Sequence, residues 1–139
     1  MSAMSSLELL LRPVGWVRSP LTELADAPRQ GDEGAPNAWV EFEDWVVDAL
    51  QGVGEGSEVL LLTWLHRADR STLVTHPRNE LSNPLTGVFC TRSPDRPNPI
   101  GLHRVEVLAV QGSRIQVGGL EAVDGTPVVD VKCVLGPDR

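Results

Sequence analysis

The 139-residue chain has only one lysine, only two cysteines and no apolar run long enough to cross a membrane. A membrane-spanning helix needs about 18 or more consecutive apolar residues. The first six residues carry no basic side chain and precede no adequate apolar stretch, so we expect no secretory signal. Acidic residues outnumber basic ones by 19 to 12, whereas a general nucleic-acid binder carries net positive charge. We therefore expect a cytoplasmic protein that does not bind nucleic acid through its overall charge.

The two cysteines, Cys90 and Cys133, stand in apolar stretches and form no C-x-x-C pair. No histidine or second cysteine lies near either of them at the spacing of zinc ligands. We expect two buried free thiols in a reducing compartment, with neither a disulfide nor a bound metal.

Charge is distributed unevenly along the chain. Residues 31–58 hold eight acidic residues and no lysine or arginine, whereas residues 66–104 hold six arginines against three acids. All three histidines, His66, His76 and His103, also fall in the second window. Arginine has a planar fork of donors that suits carboxylates and phosphates. The pattern indicates that residues 66–104 are the functional half.

The apolar pattern predicts a mainly β fold, an antiparallel sheet closed or nearly closed into a small barrel with one or two short helices. We expect one domain over residues 1–139. The run 59–65 is continuously apolar and predicts a strand buried on both faces. Asp44 is expected to cap a short helix. Further strands are predicted at residues 9–17, 38–42, 87–90, 105–110, 114–117 and 128–135.

A glycine pattern at residues 52–56 reads G-x-G-x-G, as in the loop of Rossmann-type methyltransferases. In that fold the loop follows a strand, but the apolar positions of residues 46–53 fit the face of a helix. The C-terminal half predicts hairpins instead of alternating helices and strands. The sequence therefore favours a non-Rossmann fold.

The most informative stretch is residues 87–102, which contain prolines at positions 94, 97 and 99. Each proline fixes its own φ and pushes the preceding residue towards an extended conformation. The segment loses little entropy on folding and holds Arg92, Arg96 and Asn98 on a stiff frame. It predicts a preorganised polar site. The alternative is a rigid connector whose arginines point into water.

This stretch resembles the signature of the TrmO-like family of S-adenosylmethionine-dependent methyltransferases, also called YaeB-like or TsaA-like. The resemblance continues outside the loop, in the same order, over about residues 13–133. The matching segments are residues 14–20, 27–30, 61–67, 76–78, 87–102 and 120–132.

The resemblance implies a small β-barrel, usually a homodimer, that binds S-adenosylmethionine without a Rossmann fold. In the best-known members the methyl group goes to N6 of threonylcarbamoyladenosine in tRNA, beside the anticodon. By position, the implied cofactor contacts are Pro28, Arg29, Gln30, His66, Arg67, Arg92, Leu102, Asp124, Gly125, Thr126 and Pro127. The implied substrate-binding residues are Arg78, Arg96 and Asn98.

Physical roles can be assigned to some of these residues. Arg29 or Arg92 offers a guanidinium to the methionine carboxylate, and Leu102 offers adenine an apolar wall. The N6–H must lose its proton, and Asp124, Asp130 and His66 stay open as the base. Asp124-Gly125 is also a common turn pair, so Asp124 could serve only the backbone geometry.

The chain departs from the usual family pattern at two places. Family members often have aspartate where Glu121 stands, and Pro-Tyr where residues 133–134 are Cys-Val. Three functions are compared: a tRNA methyltransferase, a methyltransferase of the same fold acting on a small molecule, and a non-catalytic cofactor-binding module. The first predicts a positive face built from Arg67, Arg78, Arg92, Arg96 and Arg104.

Overall fold

The computed structural model describes residues 7–23 and 34–136. In this part of the chain six strands form a closed antiparallel barrel, and two further short strands form a separate two-stranded ribbon. Three short 3₁₀ helices accompany them, at Asp44–Leu50, Pro77–Asn79 and Val88–Cys90. The predicted mainly β barrel is confirmed. The strands are β1 Gly15–Arg18, β2 Ala38–Phe42, β3 Glu58–Trp64, β4 Val74–Thr75, β5 Thr86–Gly87, β6 Ile100–Gln111, β7 Arg114–Val117 and β8 Pro127–Cys133. The barrel strands follow the order β1-β2-β7-β6-β3-β8, and β4 and β5 form the ribbon.

The core fills the inside of the barrel with alternate residues from each strand. On β6, Gly101, His103, Val105 and Val107 are buried and their neighbours are exposed or half-buried. Side chains from every barrel strand join this core cluster. Burying each such valine or leucine contributes about 1.5–3 kcal/mol, and closure of the sheet leaves no long unpaired edge.

Two strands differ from the sequence expectation in their burial. In β3 only alternate residues are buried, so the strand is half-buried on its outer face and not enclosed on both faces. In β8 a register shift between Leu62 and Thr63 of the neighbouring strand changes the phase of the alternation. As a result Val128 faces inward and is fully buried, whereas Cys133, at the other end of β8, is exposed.

Other expectations are corrected at the ends of elements. Only Gly15–Arg18 of the predicted strand 9–17 pairs in the sheet, and residues 88–90 form a 3₁₀ turn and not a strand. The helix at Asp44–Leu50 is capped by Glu43 without a side-chain hydrogen bond, so Asp44 is its first residue and not its cap. The free thiol of Cys90 is exposed, contrary to the expected burial.

The connections that contain the predicted site residues lie at one end of the barrel. Trp64 at the end of β3 pairs with Ile100 at the start of β6, and Thr63 pairs with Val128 at the start of β8. The described parts of three connections therefore meet at this end, residues 19–23 with 34–37, 65–99 and 118–126, which we call the site loops. The opposite end carries the tight turn at residues 112–113 and the first 3₁₀ helix. None of the helices in the described residues has the length and apolar character required to cross a membrane.

Candidate functional site

The site loops contain most of the residues that the sequence singled out. His66 and Arg67 directly follow β3, Arg92 and Arg96 precede β6, and Asp124 lies in the connection between β7 and β8. The fold thus brings segments from three parts of the sequence to one end of the barrel. Three predicted cofactor contacts, Pro28, Arg29 and Gln30, lie outside the described residues.

The turn at Asp124 is attached to the first site loop through its backbone. Asp124 Oδ1 accepts the Ser19 N–H at 3.0 Å, and the Asp124 N–H donates to the Leu21 carbonyl at 2.6 Å. Gly125 adopts a φ of 82°, a left-handed conformation that costs glycine little, and its N–H donates to Val17 O at 2.8 Å. One carboxylate oxygen of Asp124 therefore serves the geometry of the chain.

The proline loop is held in shape by its own arginine. The Arg96 guanidinium donates to the carbonyls of Ser93, Val88 and Thr91 at 2.9, 2.5 and 2.8 Å. Charge-assisted bonds of this kind are among the stronger hydrogen bonds in proteins. Arg96 thus stabilises the loop from inside, and contact between Arg96 and a substrate stays a prediction.

Arg70 holds the second site loop together, although the sequence analysis did not single it out. Its guanidinium donates to Pro97 O at 2.7 Å and to Asn98 Oδ1 at 2.9 Å, and it lies 5.1 Å from the centre of the Trp64 ring. These contacts join the start of the second site loop to its end. No local pattern marks Arg70, because its partners are 27 and 28 residues away.

Asp69 also fastens the second site loop. The Asp69 N–H donates to Asp95 Oδ1 at 2.8 Å. Its carboxylate accepts hydrogen bonds from the side chain and backbone of Ser71 and from the Thr72 hydroxyl. These bonds, that of the Ser71 side chain first, lower the pKa of Asp69 because they favour the ionised form.

Several cationic side chains remain at the surface of the site loops. Arg67 is exposed and donates to Thr22 O at 3.2 Å. Arg92 is exposed, and no contact within the described residues holds its guanidinium.

Arg78 and Asn79 both adopt a φ of 58°, a region that ordinary residues rarely occupy and that often marks functional sites. His66 is exposed at the end of β3. Arg104, by contrast, pairs with Glu58 at 2.8 Å.

Leu102 faces outward from the barrel. It pairs with Leu62, and Ile100 pairs with Trp64, so these four side chains form an apolar patch on the outside of β3 and β6, which we call the outer wall. Ile100 and Leu102 are each 43% exposed. A ligand in contact with Leu102 must therefore lie against the outside of the sheet and not in its interior.

The three candidate bases occupy different surroundings. Asp130 stands opposite Leu62 on β8, so Asp130, Leu62 and Leu102 form one row across the outside of the sheet. Its carboxylate also lies 3.4 Å from Lys132 Nζ. Asp124 is engaged with the backbone and His66 is exposed, so Asp130 is the candidate that shares a face with Leu102.

A groove of about 520 Å³ lies elsewhere, beside the helix Asp44–Leu50. Apolar side chains such as Val14, Phe42 and Leu50 line it, together with Asp130 and Lys132. It contains no residue of the second or third site loop. We therefore do not assign the predicted site to this groove.

The geometry defines a class of protein, a small antiparallel barrel with a braced, arginine-bearing site at one end. A family model described as the tRNA-methyltransferase O N-terminal domain matches residues 16–136. The chain belongs to this family. The family resemblance predicted from the sequence is thereby confirmed.

Named relatives agree with this assignment. The chain is 43% identical over 129 residues to a probable S-adenosyl-L-methionine-binding protein of Methanothermobacter thermautotrophicus, covering 93% of this chain and 92% of that protein. It is 40% identical over 124 residues to an S-adenosyl-L-methionine-binding protein of Archaeoglobus fulgidus, covering 89% and 88%.

Solved structures give the same fold. The chain is similar to the crystal structure of TrmO from Pseudomonas aeruginosa, with 32% identity and a TM-score of 0.73 over 93% of this chain. A second TrmO crystal structure gives a TM-score of 0.76 at 32% identity. The chain spans just over half the length of these solved chains, 57% and 58%.

Proposed function

We propose that this protein is an S-adenosylmethionine-dependent methyltransferase, and that its acceptor is N6 of threonylcarbamoyladenosine beside the anticodon of tRNA. The observation that carries the proposal is the meeting of three separate site loops at one end of the barrel. Membership of the tRNA-methyltransferase O family supports methyl transfer. The relatives named as S-adenosyl-L-methionine-binding proteins support the cofactor.

The described residues suit two parts of the cofactor, the methionine carboxylate and the adenine ring. The exposed Arg92 guanidinium offers an ion pair to the methionine carboxylate. The outer wall, with Leu102, offers apolar surface to the adenine ring. The Asp124 turn, fixed by its backbone bonds to the first site loop, offers a rigid edge beside them.

When bound, S-adenosylmethionine supplies an electrophilic methyl group that passes to the acceptor nitrogen by in-line displacement. The site loops align the acceptor with that methyl group and exclude water, and alignment accounts for much of the rate. A carboxylate or imidazole must take the N6 proton. Asp130 is our first choice for this base because it shares a face with Leu102; Asp124 and His66 are the alternatives.

Binding of tRNA would rest on local arginines, since the chain has a net charge of −7. Arg67, Arg78 and Arg92 are exposed at the site loops and form the proposed positive face. Arg96 and Arg104 contribute less, because Arg96 is bonded to carbonyls of its own loop and Arg104 to Glu58. The acidic balance favours a second candidate, a methyltransferase of the same fold with a small-molecule acceptor.

We further propose that the protein acts as a homodimer in the cytoplasm. Large apolar side chains of the second site loop are exposed in the single chain, with Phe89 at 86% and Leu73 at 65%. Patches of this kind are usually covered by a partner. Light scattering should give twice the mass of one chain, and the mass of a single chain would contradict the dimer.

A labelling experiment tests the proposal. The protein is incubated with methyl-labelled S-adenosylmethionine and either tRNA that contains threonylcarbamoyladenosine, tRNA that lacks it, or a metabolite extract. Label in the first tRNA alone supports the proposed acceptor, and label in metabolites alone supports the second candidate. Cofactor binding without transfer contradicts an enzyme and supports a non-catalytic module. Failure to bind the cofactor contradicts all three.

A further inference from the structure

Inside the barrel, beneath the site loops, the side chains of Thr63, His103 and Glu121 are joined by hydrogen bonds into one group, which we call the polar network. Thr63 Oγ1 lies 2.7 Å from His103 Nε2, and His103 Nδ1 lies 2.5 Å from Glu121 Oε1. Thr63 is 0% exposed, His103 is 6% exposed and the Glu121 side chain is 17% exposed. Buried polar groups lower the stability of the folded state unless they are paired, so this polar network is a specific feature of the core.

The chemistry of the three groups fixes their order. An ionised carboxylate only accepts, so the Nδ1–H of His103 donates the hydrogen bond to Glu121 Oε1. His103 Nε2 then faces the Thr63 hydroxyl. The order carboxylate, imidazole, hydroxyl is also that of hydrolytic triads, but Thr63 is fully enclosed between Gly101 and Val128. No substrate reaches its hydroxyl, which excludes a nucleophilic role.

Gly101 leaves the space that the polar network needs. A Cβ at position 101 would lie 2.7 Å from His103 Nε2 and would overlap Thr63 Oγ1 still more closely. Real Cβ atoms essentially never approach so near. The glycine that follows the proline loop is therefore matched to the buried hydrogen bond between Thr63 and His103.

Each residue of the polar network belongs to a strand or loop that also bears predicted site residues. Thr63 lies three residues before His66 at the end of β3, and His103 lies near the start of β6, just after the proline loop. Glu121 lies in the third site loop, three residues before Asp124. The polar network therefore connects the third site loop to the strands that carry the other predicted contacts.

We propose that Glu121, His103 and Thr63 are positioning residues that hold the Asp124 turn against the ends of β3 and β6 in the geometry that binds the cofactor. This inference rests on the proposed function. Glu121 is the weak point of this polar network, because its side chain is partly exposed and lies in a connection, whereas Thr63 and His103 lie in paired strands. Its removal should affect the turn more than the barrel.

The first experiment needs no cofactor. The backbone amides of Asp124 and Gly125 donate to Leu21 and Val17, and hydrogen exchange reports how firmly those bonds hold. We expect Glu121→Ala to speed the exchange of both amides by about tenfold or more, since an unpaired buried partner costs enough to open the turn. Glu121→Gln, which keeps an acceptor oxygen for His103, should restore most of the protection.

The control is Val59→Ala, a cavity in the same core at the start of β3, at the end of the barrel away from the site loops. It should lower the unfolding temperature without changing the exchange of the Asp124 and Gly125 amides relative to the rest of the barrel. Thr63→Val, which keeps the shape of the side chain and removes its hydroxyl, is the second probe and should act in the same direction as Glu121→Ala. Unchanged exchange at both amides in Glu121→Ala and Thr63→Val would overturn the inference.

The second experiment measures S-adenosylmethionine affinity by calorimetry in the same variants. We expect Glu121→Ala to weaken binding by about tenfold, Glu121→Gln to bind nearly as well as the wild type, and Val59→Ala to bind unchanged. If the wild type binds and Glu121→Ala binds equally well, the positioning role is wrong. If the exchange results are as expected but the wild type does not bind, the proposed function is wrong and the role in cofactor binding falls with it.

Discussion

The substitution Gly101→Ala gives the most direct test of the barrel interior. The added methyl group would overlap Thr63 Oγ1 and would lie 2.7 Å from His103 Nε2 and 3.2 Å from Leu65 Cδ2. Thr63 and His103 are buried and joined to each other, so neither side chain can swing away. Overpacking of this kind costs about 1–3 kcal/mol. Loss of the buried hydrogen bond adds about 1 kcal/mol, the usual net contribution of such a bond.

We therefore expect Gly101→Ala to reduce the free energy of unfolding by about 2–4 kcal/mol. For a domain of this size the unfolding temperature should fall by about 5–15 °C, which calorimetry or denaturant titration measures. The matched control is Gly87→Ala, where no atom lies within 4 Å of the added Cβ and φ is −61°. That variant should be as stable as the wild type or slightly more stable.

A double-mutant cycle separates the overlap from other effects. Thr63→Ala removes the hydroxyl that the new methyl group would meet, so the double variant should be destabilised by less than the sum of the two single changes. A coupling of about 1 kcal/mol or more is expected for such direct neighbours. A Gly101→Ala protein within about 0.5 kcal/mol of the wild type would refute the reasoning, because that is the range of surface substitutions.

Three further predictions use the site loops. Arg92→Ala should weaken S-adenosylmethionine binding by about 10- to 100-fold in calorimetry without lowering the unfolding temperature, and unchanged affinity would remove Arg92 from the site. Arg96→Ala should instead lower the free energy of unfolding by about 1–3 kcal/mol, because three carbonyls lose their donor; a variant as stable as the wild type would contradict its bracing role. Because the pKa of Asp69 is lowered in the folded state, the stability it contributes is present above its unfolded pKa and is lost as pH falls through the folded value. Asp69→Asn should therefore flatten the loss of stability between neutral and acidic pH, and a slope equal to that of the wild type would count against it.

The sequence predicts the barrel because alternation is a local signal. The alternating residues of β6 and β7 identify a hairpin, and the prolines of residues 94–99 identify a rigid loop. The burial of β3 is less predictable. Its outer residues Leu60, Leu62 and Trp64 are apolar but only half-buried, and an apolar run does not reveal what covers its second face.

The partners of the site residues are harder to predict, because they lie far away along the chain. Arg70 reaches Asn98 over 28 residues, and His103 reaches Glu121 over 18. A histidine between polar and apolar neighbours carries no mark of being buried. Only the closure of the barrel, which turns the side chain of position 103 inward and places the third site loop above it, creates the contact with Glu121.

The exposed arginines of the site loops lie together at one pole of the barrel. Pairing of the six barrel strands does not involve these exposed side chains, so they can change with little effect on whether the chain folds. Related proteins can therefore diverge in acceptor while keeping one scaffold. The tight turn at residues 112–113, at the far pole, is correspondingly a suitable place to attach a dye or a surface tether.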